Sequence, residues 1–99
     1  AIGQMTDSFR EQEGNKKSVV LVEYPRKGSW AVGFATKENT GEIKAKTNIN
    51  LVNVFVPTTP NPTSGFLLMI PKDDLIYLDM TFEEASKFIV SAGTSKPKN

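Results

Sequence analysis

The 99-residue chain contains no cysteine and no histidine. The first absence removes disulfides and thiol nucleophiles. The two together remove Cys/His zinc sites, and without an imidazole no triad with a His base can be assembled. Charge of one sign is missing too: 12 basic and 11 acidic side chains leave a net +1. With no global field, and only Arg10 and Arg26 to offer bidentate guanidinium contacts, nucleic acid is not an expected partner. No apolar run approaches the ~20 residues that span a bilayer. The longest, Phe66-Leu67-Leu68-Met69-Ile70, has the length of a strand. No charged start precedes an apolar stretch, so no signal peptide is visible and the polypeptide as given reads as water-soluble. The one candidate glycosylation triplet, Asn61-Pro62-Thr63, is blocked by its proline.

What is present is enough for one modest core. Hydrophobic residues make up 38% of the chain, with many β-branched residues and aromatic content of 9%, in the size range of a single domain. Ile2, Met5 and Phe9 form one narrow helical stripe over Ala1 to Glu13, with Gly14 as its stop. A helix that short is marginal alone and reads as the tail of something longer. Ser18 to Tyr24 is a β-branched strand, and Pro25-Arg26-Lys27-Gly28 a hairpin loop in which Gly28 takes the φ > 0 site. The following strand, Ser29 to about Thr36, sets Trp30, Val32 and Phe34 on one face and Ala31, Gly33 and Ala35 on the other. A face of small residues predicts close approach by a backbone or a helix, most simply as core packing.

Ile43, Ala45, Thr47 and Ile49 alternate with polar residues, as in an exposed edge strand or a loose connection. Leu51 to Val56 and Phe66 to Ile70 read as an antiparallel pair. Pro71 to Asp74 makes a turn before a short strand at Leu75 to Leu78. Thr81 and Glu84 then fit a capping box, and Phe82, Ala85, Phe88, Ile89 and Ala92 an apolar helical face closed by Gly93. The expected architecture is α+β but mainly β: a curled antiparallel sheet or small barrel of five to six strands, a C-terminal helix and a short N-terminal helix. Residues 1–17 are expected to be helix and linker, 18–93 the globular domain and 94–99 a flexible tail.

Nothing here resembles catalytic equipment, so neither an enzyme nor a cofactor is expected. The acidic residues Asp73, Asp74, Asp79, Glu83 and Glu84 lack calcium-loop spacing and are accounted for by a turn and a helix N-terminus. The one unusual segment is Pro57-Thr58-Thr59-Pro60-Asn61-Pro62-Thr63-Ser64-Gly65, three prolines in nine residues between two strands. A long stiff loop of this kind is either a structural crossover or a recognition loop. Its hydroxyl and amide groups suit binding better than bond cleavage. Arg26 and Lys27 form a basic hairpin that could touch anionic lipid, although a solvated turn is the favoured reading.

Several words are more specific. Val20-Leu21-Val22-Glu23-Tyr24-Pro25-Arg26-Lys27-Gly28, Trp30, Gly33-Phe34 and the continuous stretch from Val54 through Pro57 and Gly65 to Phe66 closely resemble the domain of unknown function 502 family, whose plant members are called continuous-vascular-ring-like proteins. Leu78-Asp79-Met80 and Glu83-Glu84-Ala85 are similar as well, so the resemblance covers roughly Val19 to Gly93. It implies an integral membrane protein with two hydrophobic spans upstream, of which this would be the soluble C-terminal domain on the cytoplasmic side. It brings no catalytic residues. The expected function is accordingly a membrane-anchored interaction or scaffolding module with a protein partner or self-association. The alternative is a small-ligand sensor with the Pro57 to Gly65 loop over its site.

Overall fold

The computed structural model describes residues 18–95. The expected N-terminal helix, and with it Ile2, Met5 and Phe9, lies outside them. Five strands form one antiparallel sheet: β1 (Val19–Glu23), β2 (Trp30–Glu38), β3 (Leu51–Pro57), β4 (Gly65–Pro71) and β5 (Ile76–Tyr77), in the order β4-β3-β2-β1-β5. A short helix α1 (Glu42–Thr47) links β2 to β3, and α2 (Phe82–Val90) follows β5. The architecture is α+β and mainly β, a curled antiparallel sheet with a C-terminal helix.

The connectivity forces the curl. In a flat sheet the two edge strands would lie about 19 Å apart, four spacings of about 4.8 Å. They are joined only by the 3-10 turn Lys72–Asp74 and Leu75, and a 3-10 turn advances only about 2 Å per residue. Curling is helped by a bulge between Ala35 and Glu38, where β2 spends three residues against two of β3. As a result Tyr24 reaches across the concave face to Phe66, with ring centroids 6.0 Å apart.

Alternation along the strands supplies two cores. On the concave face Val20, Val22, Ala35, Val52, Val54 and Val56 are buried, with Ala31, Leu68 and Leu75 against them. On the other face Val19 and Phe34 meet Phe82, Ala85 and Ile89 of α2. The small side of β2 therefore faces the inside of the curl, where side chains converge, while the helix packs on the Val32 and Phe34 side. A Cβ at Gly33 would lie 2.7 Å from Val54 Cγ1 and 3.0 Å from the Phe55 carbonyl oxygen. The close neighbour anticipated from the small residues is thus β3 itself.

Residues 42–47 depart from the strand or loose connection that their alternation favoured. Over six residues, the alternation of Ile43, Ala45 and Thr47 with Lys44 and Lys46 is too short to separate the two periods, and local hydrogen bonds decide. Thr47 Oγ1 donates to the Ile43 carbonyl at 2.7 Å, and Asn48, left-handed at φ 57°, ends the helix by donating its N–H to Lys44 O.

The capping box on α2 is formed as expected: Glu84 N–H donates to Thr81 Oγ1 at 3.1 Å and Thr81 N–H to Glu84 Oε1 at 2.9 Å. Thr81→Ala should cost about 1 kcal/mol in urea denaturation. The other end differs from expectation. The helix stops at Val90, and Ala92, not Gly93, takes the first left-handed position at φ 56°. Gly93 N–H donates to Phe88 O and Ala92 N–H to Ile89 O, the paired bonds of a Schellman ending. An alanine in that conformation carries a steric cost that glycine does not. Ala92→Gly should therefore stabilise the domain by about 1 kcal/mol, read as a rise in Tm.

Candidate functional site

β2 begins where β3 ends, and the C-terminus of α2 lies over the same end of the sheet. Between them runs an open groove of about 370 Å³. Trp30 and Val32 of β2 form one side and Phe88 of α2 the other. Pro57, Thr59 and the Ala92-Gly93 backbone complete the wall. The residues lining it include no acid, no base and no cation, so the groove offers shape and apolar contact with a few backbone dipoles. Trp30, the chain's single tryptophan, is about half exposed here (49%).

The expected apolar face of α2 divides at this groove. Phe82, Ala85 and Ile89 are buried, whereas Phe88 is half-buried and borders the groove. Ala92 lies beyond the helix. Phe88 is thus a wall residue and not a central core residue.

The Pro57 to Gly65 segment is the groove's flank. Its tip is tied to itself. Thr58 N–H donates to Ser64 O at 2.8 Å and Thr58 Oγ1 to Asn61 O at 2.7 Å; Thr63 Oγ1 donates to Asn61 Oδ1 at 2.6 Å. Thr59 Oγ1 donates to the Ile89 carbonyl, fastening the loop to the last turn of α2. The Tyr24–Pro25 and Thr59–Pro60 peptide bonds are both cis. Of the nine residues singled out in sequence, Pro57 and Thr59 reach the groove. Pro60, Asn61, Thr63, Ser64 and Gly65 are exposed beyond it, and Thr58 and Pro62 are half-buried. The hydroxyl groups of Thr58 and Thr63, among those expected to suit binding, are engaged inside the loop, which braces it as a wall. Sequence reading missed Trp30, Phe88 and Ala92 as its partners. The one available signal was Trp30 itself, a large aromatic at the start of its strand directly after the Gly28 turn.

The basic hairpin lies elsewhere. Arg26 and Lys27 border a second cleft, of about 520 Å³, with Glu23, Asp74, Ile70 and Pro71. Gly28, at φ +92°, closes the turn and donates its N–H to Glu23 Oε2 at 3.0 Å. Two cations facing two carboxylates make this cleft mixed in sign. Among the described residues no three His, Cys, Asp or Glu side chains gather into a group that could hold a metal ion. No described helix is long and apolar enough to cross a membrane.

These features define a small curled-sheet domain with a helix-flanked apolar groove. Residues 1–64 match the family described as Protein of unknown function (DUF502), and the chain belongs to that family. It is 30% identical over 95 residues to Protein CONTINUOUS VASCULAR RING 1 of Arabidopsis thaliana, a match covering 96% of this chain and 32% of that protein. Protein LIKE COV 1 of the same plant is also 30% identical over 95 residues, covering 96% of this chain and 34% of its own length. The chain spans about one third of the curated relatives it matches. No solved structure matches it.

Proposed function

We propose that this domain is a non-catalytic interaction module that holds an apolar segment of a protein partner in the groove beside Pro57 and Thr59. The observation that carries the reading is the lining itself: Trp30, Val32, Phe88 and Pro57 with no titratable side chain among the residues that line it. Catalysis of acyl, phosphoryl or glycosyl transfer needs a nucleophile, base or charged stabiliser placed at the reacting atoms. Thr59, the one hydroxyl there, donates to the Ile89 carbonyl. Aromatic walls over a rigid scaffold favour partner binding instead.

The proposal extends to a membrane-anchored whole protein with this domain on the cytoplasmic side. The resemblance and the greater length of the relatives support the anchoring. Sidedness is tested by protease access in intact and permeabilised cells carrying the full-length protein; cleavage of this domain from outside intact cells refutes it. Recovery of the full-length protein in the soluble fraction refutes anchoring.

Trp30 is a built-in reporter for the groove. Peptides selected from a displayed library of apolar-rich sequences should shift its emission and move the amide resonances of Val32, Phe88 and Gly93. Trp30→Ala should weaken them at least tenfold, at little cost to the fold because Trp30 is half exposed. Binders that map to other surfaces, or turnover of a chromogenic ester, phosphate or glycoside panel, would overturn the reading. A sensor role is the second reading, favoured by a groove volume in the small-ligand range of about 300–1,000 Å³. A fragment screen scored on the same resonances separates the two.

A further inference from the structure

β4 is an edge strand whose only usual protection is the proline at its last position, Pro71. Across Gly65 to Ile70 there is no charge and no proline, and its seven-residue register with β3 runs without a bulge. Natural edges are commonly shielded by a lysine, an inward charge, a bulge or a covering segment. Here Phe66, Leu67 and Met69 are instead 52%, 68% and 41% exposed. The backbone parity is also fixed. Thr58 N–H bonds Ser64 O and Lys72 N–H bonds Asn50 O, each at 2.8 Å. Even-numbered residues of β4 therefore face β3, and Gly65, Leu67 and Met69 direct their N–H and C=O groups outward. Among the described residues nothing bonds those groups.

We propose that β4 pairs antiparallel with β4 of a second copy, about a two-fold axis at Leu68. That register sets Leu67 opposite Met69 of the other copy, both with outward-facing backbone groups, so each pair exchanges both of its hydrogen bonds. Gly65 N–H meets the Pro71 carbonyl, and the missing N–H of Pro71 falls at the end of the ladder, where it costs least. On one face Leu67 packs on Met69; on the other Leu68 meets Leu68, and Phe66 meets Ile70. A second copy fits better than a foreign strand because the segment is close to palindromic in apolar size about Leu68. Nothing on it selects a charged partner, and a net charge of +1 opposes pairing little. The joined edges would bury on the order of 1,000 Å² in total, where specific interfaces begin, so the dimer should be reversible. The pairing does not depend on the groove reading.

Sedimentation of the 99-residue chain across about 10 µM to 1 mM should show a monomer–dimer equilibrium, at least tenfold weaker in Leu67→Lys with unchanged circular dichroism. Because the chain lacks cysteine, Leu68→Cys places one thiol per copy in a non-hydrogen-bonded pair across the axis, where Cα atoms lie about 4.5 Å apart. Mild oxidation should cross-link it at least tenfold faster than Val90→Cys, an exposed site on α2. An unmodified chain still monomeric at 1 mM, or equal cross-linking at the two sites, would overturn the proposal, as would a dimer indifferent to Leu67→Lys. Should Leu67→Lys fail to fold, the cysteine comparison still decides.

Discussion

Phe82→Ala is expected to lower stability by about 3–5 kcal/mol, a large share of the about 5–15 kcal/mol that a domain of this size possesses. Phe82 is 8% exposed and joins α2 to the sheet. Its ring packs against Phe34 at 5.1 Å between centroids, tilted by 43°. Such a pair contributes about 0.5–1.5 kcal/mol beyond the area it buries. The position follows directly after the Thr81 cap, so truncation also loosens the turn that the capping box holds. Phe88→Ala provides the comparison. That ring is half-buried on the groove wall, and its loss should cost only about 1 kcal/mol. Urea denaturation of the two variants gives the test. Equal losses would mean that α2 is rotated from the orientation described.

The difference between these two phenylalanines also marks how far the sequence could be read. Phe82, Ala85, Phe88, Ile89 and Ala92 share a helical stripe, and the stripe places them on one side of α2 without saying which of them the sheet covers. Coverage depends on where the curled sheet ends, and that is set by long-range pairing. The β-strands were legible because Val19–Glu23 and Leu51–Pro57 are short, β-branched, nearly continuous apolar runs of strand length. The turn at Gly28 and the box at Thr81 and Glu84 were legible because each is a local device with its own residue signature. The segment 42–47 was not, since six residues fit either period and Asn48 decides the matter through its backbone conformation. For the candidate site, sequence singled out the Pro57 to Gly65 loop but not its place as a braced flank of the groove. Thr59 reaches the Ile89 carbonyl thirty residues away, a contact with no sequence signature.

Gly65→Ala should be the most damaging change available in the loop, although the glycine is exposed. Gly65 pairs with Pro57 where the loop re-enters the sheet. A Cβ placed there would lie 2.2 Å from the Val56 carbonyl oxygen, 2.7 Å from Pro57 Cα and 2.9 Å from Phe55 Cε1. Two of those three atoms belong to backbone, so no rotamer change relieves the overlap and β3 must separate from β4. Overpacking of a rigid site costs about 1–3 kcal/mol, and the shortness of these approaches sets the expectation at about 3 kcal/mol. The damage should be local as well as global: the Thr58 to Ser64 hydrogen bond shares this junction, so the loop loses its brace and Pro57 leaves the groove wall. Gly41→Ala is the matched control, because a Cβ at Gly41 meets nothing within 4 Å. Thermal denaturation should separate the two glycine variants, and the amide resonances of Phe55, Val56 and Thr58 should move in Gly65→Ala only. If both variants melted together, the close approach of β4 to the Val56 carbonyl would be wrong. The loop would then owe its shape to its prolines alone.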